Sequence, residues 1–282
     1  DLLPVLYQNG MQFYYPPRFS PLLFQKGGSY YSDNGSKSGL DSAEAYQAFK
    51  EWTELYTSYG IPVVADFFNR MRTGEMPMGI HGYATYVRLS VAAPELFGRW
   101  GVAQVPGTRL PDGSIDRSVG GISDLSTSAG RGAGATTSGG VSDDLTGQAA
   151  MILNQSTNKE AAWEFLKWWT SDDIQFRFGR EMEASIGVEA RWNTANLKAF
   201  QDIPWKREDL QTIVNQWPWY EIAPVVLGGY FTGRHVMNAW NRVVLGDMLP
   251  RDSLELAVED INIELRKKQE EYGVYNPLGG TD

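Results

Sequence analysis

Apolar residues recur every three to four positions along much of this chain, a period that marks amphipathic helices. Ala45, Phe49, Trp52, Leu55, Tyr56 and Tyr59 fall on one face of a segment that Gly60 ends. Asp41 and Glu44 have capping-box spacing and place its start at 41. The same pattern predicts a helix within 61–75 that stops at Gly74, and one over 84–100 closed by Pro94 and Gly98. Thr157 and Glu160 open another, with Ala161, Ala162, Phe165, Leu166 and Trp169 as its apolar face. Ser171 and Asp172 begin a further helix that ends around Gly179. "WNTANLKAFQ" and "REDLQTIVNQW" predict two short ones. Segment 228–248 opens on a flexible Gly pair and continues as a helix. The last helix runs from Ser253 to Tyr272 with Leu254, Val258, Ile261 and Leu265 as its buried stripe, capped by Asp252 with Glu255.

Short apolar runs at 76–80, 100–108 and 149–153 are too brief for helices and predict strands. "SDNGSKSG" (32–39) reads as a turn or hairpin tip. Residues 1–30 carry Pro16, Pro17 and Pro21, which forbid long regular structure. Residues 117–148 are rich in Gly, Ser and Thr: a mobile loop, a linker, or backbone that lies against a ligand. Few strands mixed with many helices argue for an α/β or α+β architecture.

Composition narrows the function. A chain of 282 residues with 42% apolar content can bury a sizeable core, as one large domain or two ordinary ones. A net charge of −9 argues against nucleic acid as a partner. There is no cysteine, so thiolate metal sites, disulfides and Cys nucleophiles are excluded. No apolar run approaches the ~18 residues of a membrane span. The chain opens on "DLLPVLYQNG", without a signal segment, and is expected to be a processed or truncated piece of something longer.

Candidate chemistry is sparse. The two histidines, His81 and His235, sit in no GxSxG, HExxH or HxxE pattern. "SAGRGAGATTSGG" lacks the spacing of a phosphate cradle, and no cofactor or metal is expected. The acid pairs in "SDDL" (142–145) and "SDDI" (171–174) are ordinary for a chain with 34 acids, the second suiting a helix start. A glycosidase-type carboxylate pair stays open. What stands out is aromatic content of 13%, with 10 Trp and 14 Tyr. Rings cluster in "FYYPPR" (13–18), "GYATY" (82–86), "WPWY" (217–220) and "GGYFTGR" (228–234), the first and last of which end in arginine. Flat apolar faces with polar tips suit the C–H faces and hydroxyl rims of sugars, and arginine adds a donor fork.

The order of several segments resembles the family 1 extracellular solute-binding proteins of ABC importers, the maltose-binding-protein-like group. The helix "LDSAEAYQAFKEWTELYTSYG" precedes "FFNRMRTGEMPMGIHGYATY", then "WGVAQVPGT", then "STNKEAAWEFLKWWTSDDIQ", then "APVVLGGYFTGRHVMNAWNRVV" and "LELAVEDINIEL". Where that family often carries Trp after the Gly of its strand motif, this chain has Tyr83. The resemblance implies an α/β, periplasmic-binding-protein-like type II fold whose two lobes close on a ligand. It assigns 1–140 to the C-terminal lobe, 141–188 to a return segment of the N-terminal lobe, and 189–282 to the closing helices and tail. Most of the N-terminal lobe is then absent, and the Phe165/Leu166/Trp169 face calls for a missing-lobe partner, a swapped dimer or a refolded packing. The implied function is sugar or oligosaccharide binding for delivery to an ABC permease, with no catalysis. Tyr83 and Tyr86 would stack on sugar rings, and Tyr230 and Arg234 would add a ring and donors. Tyr14, Arg18 and Trp219 complete the candidate set. The implied location is extracytoplasmic, at a bacterial cell surface or in a periplasm, through a lipid anchor upstream. The alternatives are a polysaccharide-active enzyme or its carbohydrate-binding accessory module, and a scaffold whose rings are core.

Overall fold

Helices dominate the computed structural model, which describes residues 2–15, 18–121 and 150–274. In chain order they begin with α1 (Leu2–Gln8), β1 (Phe13–Tyr14), α2 (Ser20–Phe24), β2 (Tyr31–Ser32), β3 (Lys37–Ser38) and α3 (Ala43–Thr57). Next come α4 (Phe67–Arg72), β4 (Met78–Gly79), α5 (Tyr83–Ala92), β5 (Thr108–Arg109), β6 (Ile115–Asp116) and β7 (Val119–Gly121). The C-terminal part holds α6 (Lys159–Trp169), α7 (Asp172–Ile186), α8 (Leu197–Asp202), α9 (Arg207–Gln216), β8 (Tyr220–Ile222), α10 (Thr232–Val244) and α11 (Pro250–Glu271).

Two compact units emerge from the packing. The first comprises Asp1–Ile80, Val105–Asp143 and Pro218–Asp282; the second comprises His81–Gln104 and Asp144–Trp217.

In the first unit, α3, α10 and α11 enclose an aromatic core. Phe49, Trp52, Trp240, Leu23, Leu40, Ile261 and Leu265 are buried there. Phe19 and Phe49 meet edge to face at 5.9 Å, as do Tyr56 and Trp240 at 5.0 Å. Such geometry aligns ring edges with π-faces and adds to area burial. The predicted stripe of the last helix is present: Leu254, Ile261 and Leu265 are buried and Val258 packs against them. The strands form separate two-stranded ladders: β1 with β4 and β7 with β8, both parallel, and β2 with β3 and β5 with β6, both antiparallel. The β2–β3 ladder is the hairpin expected at 32–39, turning through Asp33–Gly35.

In the second unit, Trp169, Phe178 and Trp192 form an aromatic triad with centroid separations of 5.1 to 6.4 Å. Gln175, 5% exposed, anchors it: its Oε1 accepts from Trp192 Nε1 and Thr194 Oγ1, and its Nε2 donates to the Trp169 carbonyl. Among the described residues α6 contributes no buried side chain; Trp163, Phe165 and Trp168 are more than half exposed. Of the face expected on this helix, Trp169 is covered by the triad, and Phe165, more than half exposed, meets Trp168 of its own helix at 5.5 Å.

Several boundaries differ from the sequence reading. Ser42, not Asp41, caps α3: its extended backbone sets Oγ to accept from Ala45 N–H at 3.2 Å. Thr157 does not cap α6, which starts after Asn158. Helix α7 passes through Gly179 and ends at Gly187, whose φ of +115° breaks the helix. Gly179 is a packing position instead: a Cβ there would lie 3.2 Å from that of Trp192. Helix α11 starts at Pro250, a residue whose missing N–H suits a first turn, and Asp252 does not cap it. The predicted strands shrink because an apolar run becomes a strand only where a partner supplies ladder bonds. Of 76–80 only Met78–Gly79 pairs, of 100–108 only Thr108 does, and 150–153 is irregular. In the Gly-rich stretch, 119–121 form β7, while 122–149, with the acid pair at 142–145, lie outside the described residues.

Candidate functional site

The stretch "HGYATY" does not end a strand at a ring. Gly82 is the N-cap of α5 and Tyr83 is its first residue. Tyr83 and Tyr86 are three apart, one helical turn, so their rings lie on one face. They stack with centroids 6.3 Å apart and planes 15° from parallel. Thr85, on the same turn, is buried and pairs with His81 Nδ1 at 2.7 Å, which steadies the helix start.

Three rings from other elements complete a cluster around the pair. Trp205 lies 5.8 Å from Tyr83 and 5.5 Å from Tyr86. Phe200 on α8 is buried and meets Trp205 at 4.7 Å and Tyr83 at 6.2 Å. Trp100 meets Tyr86 edge to face at 5.4 Å. Tyr83, Tyr86, Trp100 and Trp205 are half-buried, so the cluster is part core and part surface.

Its polar frame is compact. Arg191 follows the turn Val188–Ala190 that packs on α5. Its Nε and Nη2 donate to the two Glu183 oxygens at 3.1 and 2.7 Å, a bidentate pair. The guanidinium carbon also stands 5.2 Å from the Trp205 ring centre, a cation–π arrangement. The Tyr86 hydroxyl donates to Asp209 Oδ2 at 3.0 Å, and Asp209 is 7% exposed in the first turn of α9. A helix start favours a carboxylate there. The Tyr83 hydroxyl is buried and has no hydrogen-bond partner among the described residues.

These surroundings set the phenols' acidity. Burial pushes Tyr86 up to about 12, with the Asp209 charge and hydrogen bond adding to the effect. Burial raises Tyr83 further, against an opposing pull from Arg191. Both are neutral donors at physiological pH. Among the described residues no cluster of His, Asp or Glu has the make-up of a metal site.

The other candidate residues lie in the first unit. Tyr14 on β1 stacks on Phe67 at 5.2 Å, with planes 16° apart. The Arg18 carbonyl accepts from the Tyr15 hydroxyl at 2.9 Å. Tyr230 and Phe231 are in contact at 4.2 Å, and Arg234 lies 4.4 Å over Phe231, so Tyr230 and Arg234 flank one ring. Trp219 is half-buried in the turn that leads into β8. The structure brings Tyr83 together with Tyr86, and sets Tyr230 and Arg234 on either side of Phe231. The sequence reading missed Trp205, Phe200, Trp100, Arg191, Glu183 and Asp209. The last two belong to ordinary helical patterns, and Trp205 lies between two short helices, so no local signal joined them to Tyr83.

Fold and family agree on the class. The model of the bacterial extracellular solute-binding proteins matches residues 17–176, more than half of the chain, and the chain belongs to that family. No curated protein sequence matches it. Among solved structures it is similar to the sugar-binding protein MalE of Xanthomonas citri, at 16% identity and a TM-score of 0.66, over 94% of this chain and 61% of that one. It is similar to the maltose-binding protein MalE of Listeria monocytogenes in complex with maltose, at 18% identity and 0.58, over 89% and 59%. A solute-binding protein of Thermotoga lettingae bound with α-D-tagatose gives 20% and 0.56, over 92% and 61%. The fold is thus the α/β, periplasmic-binding-protein-like one expected, and this chain spans about three fifths of the length of each of these proteins.

Proposed function

We propose that the protein is the substrate-binding component of an ABC importer and that it binds a sugar or oligosaccharide on aromatic faces without altering it. The observation that carries this reading is the half-buried Tyr83–Tyr86–Trp205 cluster in a chain of the solute-binding family. Stacked rings with restrained geometry offer a C–H-binding surface at little entropic cost. Two carboxylates lie beside the rings, yet each already has a partner: Glu183 grips Arg191 and Asp209 accepts from Tyr86. Both carboxylates thus frame the rings, which suits a binding role. Tyr230, Arg234, Tyr14, Arg18 and Trp219 stand in this reading as candidate ligand contacts of the first unit by itself. The division into lobes at 1–140, 141–188 and 189–282, the lipid anchor, the extracytoplasmic location and delivery to a permease belong to the same proposal. So does a partner chain or swapped copy over the exposed rings of α6.

Isothermal titration of the full chain with neutral mono- and oligosaccharides, maltose and D-tagatose among them, and with amino acids tests the reading. Saturable heat with at least one sugar, weakened by Tyr86→Ala, is expected. Binding of amino acids with no response to any sugar would overturn it.

A further inference from the structure

Arg191, Glu183 and Asp209 are charged side chains that act on the two phenols of the aromatic cluster. The guanidinium among them is already engaged. Arg191 engages both Glu183 oxygens, and the side chains of the pair are only 10% and 17% exposed. A half-buried bidentate pair holds its geometry, because separating it strands two charges away from water. Arg191 is therefore a support for the Trp205 face, 5.2 Å away, and is poorly placed to greet an incoming anion. Asp209 is then the charge of these three that the Arg191–Glu183 pair does not cancel. It is 7% exposed, bonded to the Tyr86 hydroxyl, and seated in the first turn of α9. The low-dielectric surroundings weaken its screening by salt.

We propose that Asp209, beside an Arg191 already neutralised by Glu183, makes the Tyr83–Tyr86–Trp205 surface select uncharged sugars against anionic ones such as uronates and aldonates. Asp209 is a specificity-determining residue in this account, and it acts through its charge and through the orientation of Tyr86. The inference rests on the carbohydrate reading above and names the ligand class within it. Arg191 would otherwise be the obvious hook for a sugar carboxylate, since guanidinium and carboxylate match as a fork. What removes it from that role is its existing fork to Glu183.

Matched probe pairs test the proposal by titration calorimetry on the full chain: D-galactose against D-galacturonate, and D-glucose against D-glucuronate, at low salt and at physiological salt. The neutral member of a binding pair is expected to bind at least about tenfold more tightly, the scale set by one unit charge at short range in a partly desolvated site. Asp209→Asn keeps the size and an oxygen acceptor for Tyr86 while removing the charge, and it is expected to shrink that ratio by threefold or more, on the order expected for removing one such charge. Raising salt on the unaltered protein should shrink the ratio only slightly, and this holds the test open even if the variant folds poorly. Equal or tighter binding of the anionic member, or a ratio unmoved by Asp209→Asn, overturns the inference and leaves the sugar reading standing. Failure of every sugar, neutral and anionic, overturns both.

Discussion

Tyr83 and Tyr86 stack on each other, yet their hydroxyls have opposite fates, so one chemical change made at each should have opposite signs. The change is removal of the oxygen, Tyr83→Phe and Tyr86→Phe. At position 83 the hydroxyl is buried without a partner among the described residues. In the unfolded chain water satisfies it, so folding pays the desolvation of one hydroxyl, about 1–3 kcal/mol in protein mutational data. Phenylalanine keeps the ring contacts with Tyr86, Trp205 and Phe200 and avoids that cost. Allowing for relaxation, Tyr83→Phe should stabilise the protein by about 1 kcal/mol. At position 86 the hydroxyl donates to a carboxylate that is 7% exposed. Its removal deletes a charge-assisted bond and leaves Asp209 under-satisfied, which costs about 1.5–3 kcal/mol. Urea unfolding followed by tryptophan fluorescence measures both, and the unfolding midpoint is the quantity to compare. The variants should move it in opposite directions. A Tyr83→Phe protein as destabilised as Tyr86→Phe would refute the reasoning, because the Tyr83 hydroxyl would then have a partner worth a hydrogen bond.

Alkaline stability checks the same frame. Tyr86 is held up to about 12 by burial and Asp209, above its unfolded value near 10. Its contribution is therefore complete below pH 10 and is lost as pH rises from 10 toward 12. The stability gap between the unaltered protein and Tyr86→Phe should narrow across that window, and a constant gap would contradict the assignment. In the first unit, Gly120 has φ of +139° on β7, and a Cβ there would run into the Glu221 carbonyl of the paired strand β8. Gly120→Ala should cost about 2 kcal/mol or more in denaturant unfolding. A change within about 0.5 kcal/mol, the size of an ordinary surface substitution, would show that β7 and β8 do not pair this closely.

Much of the helical content was legible because a 3.6-residue period needs only the local chain. The stripe of Leu254, Ile261 and Leu265 and the stop at Gly74 were readable that way. The strands were less so: an apolar run such as 76–80 states that it will be buried, and only a partner such as β1 decides how much of it pairs. Glycine is ambiguous for a related reason. Gly179 and Gly187 look alike in sequence, and the neighbour Trp192 makes the first a packing position while a positive φ makes the second a helix stop.

The candidate site divides along the same line. The sequence by itself determined that rings rather than nucleophiles dominate the chemistry on offer, while the start of the helix at Tyr83, which puts Tyr83 and Tyr86 on one face, was read from the structure. The tertiary structure alone decided that Asp209 meets Tyr86 across 123 residues of chain and that Glu183 neutralises Arg191 beside Trp205. Periodicity reports which way a side chain faces along its own element. Charge balance at a site depends on which elements meet, and that is settled by packing between segments distant in the chain.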